Sequence, residues 1–151
     1  MLCSLKDLYR IGPGPSSSHT IGPYRICQSF LKEINDNKNY HFIVTLFGSL
    51  ALTGKGHLTD KIIKDVLKDC EVIFDLKNIP EFPNTMKIQA FLDEKLVKEE
   101  VYFSLGGGQI AKKDGEAEKD QLVYPFSSFK EVRDYIEKNE IALCEIELAE
   151  K

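Results

Sequence analysis

The residues best suited to chemistry stand in two short runs, Ser16-Ser17-Ser18-His19-Thr20 and Lys55-Gly56-His57-Leu58-Thr59-Asp60. An imidazole titrates near neutrality, so a histidine held where a loop meets a helix is a reasonable general base. Hydroxyls ahead of a helix offer donors to an anion, and the free N–H groups and dipole of the helix mouth favour negative charge there. An amino-acid carboxylate or a phosphate would suit such a pocket. Both runs also have plainer readings. Serines serve turns, and a lone histidine commonly hydrogen-bonds its own loop. His41 opens a predicted strand and reads as structural, and Gly106-Gly107-Gly108 reads as a tight turn.

The elements that must position these runs follow from pattern. Ser4 can cap a short helix through Tyr9, after which three prolines and a serine triplet between Ile11 and Pro23 predict a loop. Pro23 suits a first helical position, and Ile26, Phe30, Leu31 and Ile34 predict a helix to about Asn35. His41 to Phe47 is rich in β-branched and aromatic residues and predicts a strand, followed by a short helix over Ser49 to Leu52. Thr59 is placed to cap a helix through Asp69 that buries Ile62, Ile63, Val66 and Leu67. Glu71 to Asn84 is ambiguous. Strands are predicted at Lys87 to Leu92, Leu96 to Ser104 and Gln109 to Lys112. Lys113 to Asp120 reads as a mobile loop and Leu122 to Phe126 as a strand. Ser127 or Ser128 then caps a helix with Phe129, Val132 and Ile136 on one face, and a last turn or two spans Ile141 to Ala149. Helices and hairpin strands mix without a β-α-β-α rhythm, which argues an α+β fold in a single domain over residues 1–151.

Composition narrows the function. The chain has 151 residues, 42% hydrophobic and 29% charged, with a net charge of −4 and no dominant basic cluster. Phosphate neutralisation by a basic patch is therefore not its business, and nucleic acid is not an expected partner. No apolar run approaches the ~20 residues that cross a bilayer, and no signal peptide is visible, so a cytoplasmic location without membrane association is expected. Cys3, Cys27, Cys70 and Cys144 lack the close pairing that presents two thiolates to one metal, so no metal site is expected on this chain. P-loop, dinucleotide-binding, H-E-x-x-H and G-x-S-x-G patterns are all missing.

The same runs carry a resemblance. Gly12-Pro13-Gly14-Pro15-Ser16-Ser17-Ser18-His19-Thr20 with Gly22-Pro23 resembles the N-terminal signature of the iron–sulfur-dependent L-serine dehydratases. Phe47-Gly48-Ser49-Leu50-Ala51-Leu52-Thr53-Gly54-Lys55-Gly56-His57-Leu58-Thr59-Asp60 resembles that family's second block, Gly106-Gly107-Gly108 its third, and Leu122-Val123-Tyr124-Pro125-Phe126 a later segment. The similarity spans nearly the whole chain but only the family's β domain.

The resemblance implies a mixed sheet with helices, similar to the allosteric substrate-binding domain of phosphoglycerate dehydrogenases. It implies β-elimination of L-serine to pyruvate and ammonia, a step in amino-acid degradation toward gluconeogenesis. The [4Fe–4S] cluster is expected from a separate α domain or subunit, without which this chain is inactive; a homodimer is also expected. His57 is then the expected base, with His19 as its alternative or as a substrate-orienting partner. Ser16, Ser17, Ser18 and Thr20 are expected to hold the substrate carboxylate, and Lys55 and Asp60 to tune His57 or close its loop. A second implied role is a non-catalytic binding, regulatory or dimerisation module for a small carboxylate.

Overall fold

The computed structural model describes residues 11–34, 38–115, 126 and 128–148, in two compact units. The larger unit, within residues 11–118, is a five-stranded sheet with helices, an α+β architecture. Its elements are a π-helical turn (Ser17–Ile21), α1 (Gly22–Lys32), β1 (His41–Gly48), α2 (Ser49–Thr53), α3 (Thr59–Leu67), β2 (Cys70–Asp75), β3 (Asn84–Leu92), β4 (Lys95–Gly106) and β5 (Gln109–Lys112). Strand order is β2-β1-β3-β4-β5; β1 and β2 run parallel across the α2–α3 crossover, and every other pair is antiparallel.

Alternation decides which face is covered. Phe42, Val44 and Leu46 of β1, with Met86 and Ile88 of β3, recur at every second position and are buried. They form one core with Ile26 and Phe30 of α1 and Ile63 of α3. The β3–β4 turn turns on Asp93 and Glu94, both at positive φ. Gly106, which ends β4, and Gly107 and Gly108 after it adopt φ of 98°, 57° and 78°, so the tight turn there needs residues without a Cβ penalty. Arg25 Nη1 donates to the carbonyl of Gly108 at 2.5 Å, which ties this turn to α1. Glu33, just past α1, accepts from both Lys98 and Lys112 at 2.6 Å and so joins α1 to β4 and β5.

Three expectations change. The stretch before Pro23 is helical from Ser17 onward, because Ser16 caps it: its carbonyl accepts from Thr20 and Ile21, and its hydroxyl accepts from His19 N–H. The helix mouth therefore lies at Ser16 to Ser18 rather than at Gly22-Pro23. Thr59 does not cap α3. Leu58 enters that helix in the left-handed region at φ 57°, and the Thr59 hydroxyl is used elsewhere. Finally α1 ends at Lys32 and α3 at Leu67, each earlier than the apolar spacing implied, while the ambiguous stretch supplies β2.

The smaller unit contributes α4 (Phe129–Asn139) and α5 (Leu143–Leu148). Ser128 caps α4 by accepting from Glu131 N–H, and Val132 is buried. Phe129 is exposed rather than part of a buried face. The expected Ser4–Tyr9 helix, all of the Leu122 to Phe126 strand but Phe126, and most of the loop before it lie outside the described residues. No described helix is long and apolar enough to cross a membrane.

Two outcomes test this account. Gly22 lies so close to Ser104 that an added Cβ would stand 2.9 Å from the Ser104 Cβ and overlap its hydroxyl. Gly22→Ala should cost about 1–3 kcal/mol, read from the urea midpoint. Hydrogen bonds from Lys112 and Lys98 lower the Glu33 pKa below its ordinary 4.5. Its stabilising effect is thus complete above that ordinary value and disappears as pH falls through the lowered one. Glu33→Gln should reduce the urea midpoint at pH 7 and match the unsubstituted chain near pH 2.

Candidate functional site

His19 and His57 meet at one end of the sheet, their ring centroids 4.8 Å apart and their planes tilted by 36°. Both are half-buried. The elements that hold them are local. His19 lies in the π-helical turn, where its N–H is capped by the Ser16 hydroxyl. His57 sits in the short connection between α2 and α3, its N–H bonded to the Gly54 carbonyl at 3.1 Å.

Two buried threonines cross-link these segments. Thr20 donates its hydroxyl to the His57 carbonyl at 3.2 Å, and Thr59 donates to the His19 carbonyl at 2.6 Å. Both threonines have no solvent exposure. Ser104 of β4, also fully buried, donates to the Ser18 carbonyl at 2.8 Å and fixes the turn to the sheet. Gly54 is required where α2 ends: an added Cβ would overlap the Leu50 carbonyl and stand 3.2 Å from the Thr59 hydroxyl.

The ring nitrogens differ in what they can do. His57 Nδ1 lies 3.0 Å from the Thr53 carbonyl, which can only accept. Neutral His57 therefore carries its proton on Nδ1, and Nε2 keeps a lone pair. The plain reading of a histidine bonded to its own loop and the reading of a base are thus compatible. His19 places Nδ1 at 2.8 Å from Ser18 Oγ and Nε2 at 3.0 Å from Ser49 Oγ. Burial lowers its pKa below the ordinary 6.5, and the nearby His57 lowers it further. His19 is a neutral, doubly hydrogen-bonded ring at pH 7.

The remaining sequence-predicted residues divide. Ser16, Ser17 and Ser18 gather at the mouth of the helical turn, with Ser17 exposed. Thr20 is brought to the site but turned inward, its hydroxyl spent on the His57 carbonyl. Lys55 is exposed, and its ammonium lies 5.3 Å from the Phe74 ring centroid. Asp60 falls in the first turn of α3, three residues beyond His57. His41 stands apart, paired with Asp69 at 3.0 Å. Ser49 and Ser104 were not picked out by sequence reasoning, and Thr59 was read as a helix cap rather than as a link between the loops. Ser49 and Thr59 lie inside the family-like block, whereas Ser104 has no local signal beyond its place before the glycine triplet.

The described residues do not fit an iron–sulfur cluster, which takes several cysteine thiolates. Burial pushes the Cys27 thiol well up and the Cys70 thiol up to about 12, so both are protonated. Among the described residues no three His, Cys, Asp or Glu side chains converge as a metal site. Two cavities of about 200 and 510 Å³ lie elsewhere, and neither histidine lines them.

The ring environment makes one prediction. In the free chain His19 should titrate below 6.5 by NMR, and His57→Ala should move that titration upward by removing the neighbouring charge.

Comparison with known proteins agrees with the site's sequence blocks. Residues 4–72 and 63–115 match the serine dehydratase beta chain family. An L-serine dehydratase of Helicobacter pylori is 33% identical, covering 95% of this chain and 42% of its own length. L-serine dehydratase 2 of Escherichia coli is 28% identical over 94% of the chain and 41% of the relative. The Mycobacterium tuberculosis L-serine dehydratase is 29% identical over 98% and 42%. The chain thus spans less than half the length of these curated relatives. With both histidine-bearing loops inside the matched residues, the chain belongs to the serine dehydratase beta chain family.

Proposed function

We propose that this chain is the β half of an L-serine dehydratase, converting L-serine to pyruvate and ammonia when assembled with a partner α domain that carries a [4Fe–4S] cluster. The observation that carries the reading is the Nε2 lone pair of His57, fixed by the Nδ1–H bond to Thr53 and, among the described residues, set beside a second imidazole. In this reaction His57 takes the Cα proton of L-serine. The electron pair of that C–H bond forms the Cα–Cβ double bond, and the hydroxyl leaves Cβ with the pair of the C–O bond. The aminoacrylate then tautomerises and hydrolyses. General base catalysis of such a step is worth about 10²–10⁴-fold.

The hydroxyl-rich turn supplies substrate binding. The substrate carboxylate lies at the N-terminal end of the helical turn, where Ser16, Ser17 and Ser18 offer donors and the helix end is positive. Thr20 contributes by holding the His57 loop rather than by touching substrate. Asp60 and Lys55 border that loop and adjust its charge. His19 orients the substrate as a neutral hydrogen-bonding ring.

A non-catalytic carboxylate module, of the kind found in phosphoglycerate dehydrogenase allosteric domains, would use the same serines. It has no need of a histidine whose tautomer is fixed to leave a lone pair on Nε2. The dehydratase reading therefore ranks first.

Anaerobic pyruvate formation from L-serine should require both this chain and a cluster-bearing α domain. His57→Ala should lower kcat in that mixture by at least about 10²-fold. Near-normal turnover by the variant removes His57 as the base, and an α domain whose rate gains nothing from this chain favours the binding module.

A further inference from the structure

We propose that Ser49 is a positioning residue of this site, whose hydroxyl holds the ring plane of His19; the catalytic part of the assignment rests on the dehydratase reading. α2 is a helix of only five residues. Its first residue, Ser49, places Oγ 3.0 Å from His19 Nε2, and the carbonyl of its last residue, Thr53, lies 3.0 Å from His57 Nδ1. One turn of helix thus presents an anchor for each imidazole, and its rise of about 1.5 Å per residue sets the offset between them. The turn is itself braced. Thr53 Oγ1 donates to the Ser49 carbonyl at 2.9 Å, and Ser49 N–H donates to the Pro83 carbonyl at 2.7 Å.

His19 has a second partner in Ser18, but Ser18 is its chain neighbour and travels with it. Ser49 reaches His19 from α2, across 30 residues of sequence. A neutral imidazole has one donor and one acceptor nitrogen, so one serine must receive its proton while the other gives a hydrogen bond. Deleting the Ser49 hydroxyl leaves Nε2 without its partner and the ring held only by Ser18, its own chain neighbour. A methyl at position 49 fills the helix start without supplying that bond.

The test combines ring spectroscopy of the chain with kinetics of the assembled enzyme. In ¹⁵N NMR at pH 7.5, His19 Nε2 of the unsubstituted chain should show the shift of a hydrogen-bonded ring nitrogen. Ser49→Ala should move that shift, and Ser49→Thr, which keeps the hydroxyl, should restore it. In the assembled enzyme Ser49→Ala should lower kcat about tenfold with KM for L-serine changed less than about twofold, the size expected for one hydrogen bond. Identical His19 ring shifts in the Ala variant and the unsubstituted chain overturn the assignment. A kcat loss that Ser49→Thr leaves unrestored marks a packing role and overturns it too. An assembled, unsubstituted enzyme without turnover sinks the dehydratase reading and the kinetic half of this proposal, while the ring shifts still decide whether Ser49 anchors His19.

Discussion

Thr20 donates from the helical turn to the carbonyl of His57, and Thr59 donates back from α3 to the carbonyl of His19. Each hydroxyl is out of reach of water. A made bond of this kind contributes only about 0.5–1.5 kcal/mol net, but a buried group left unpaired costs about 1–3 kcal/mol. Neither loop can drift without orphaning two such groups at once. The pair therefore sets the register between the segments, and the facing imidazoles follow from it. Gly54 and Gly22 serve the same end by admitting backbone and Ser104 where a side chain would intrude.

Electrostatics then separates two rings that are alike in composition. One imidazole beside another cannot gain a proton without raising the cost for its neighbour, and burial adds to that cost at His19. His57 has a carbonyl to fix its proton and an unshared nitrogen on the other side. His19 has hydroxyls at both nitrogens, which tolerate either tautomer and favour neither strongly. The difference in hydrogen bonding arises from the partners around the rings, a backbone group in one case and side chains in the other.

Much of this was legible in the chain alone, for identifiable reasons. β1, α2, the β3–β4 hairpin and the capped α4 follow local rules of alternation, turn chemistry and capping, and those rules operate over a few residues. The helical turn at Ser17–Ile21 was hidden by the prolines and glycines around it, which signal loop whatever Ser16 does as a cap. Thr59 misled because a threonine before an apolar helix has two uses for its hydroxyl, and only the neighbouring loop decides between them. The histidine pair was drawn from two separate runs, but their contact depends on parallel pairing of β1 and β2 and on Ser104, both long-range facts. Ser49 escaped notice because its partner lies 30 residues away.

The clamp between the two loops addresses main-chain carbonyls and is blind to the side chains those residues carry. Replacing both imidazoles would leave the donors, the acceptors and their distances as they are. Scaffold and reagent are thus inherited separately: the fold can hold position while its chemistry is exchanged, erased or restored one residue at a time. The spacing between the two segments can therefore outlast any change in what the two side chains do.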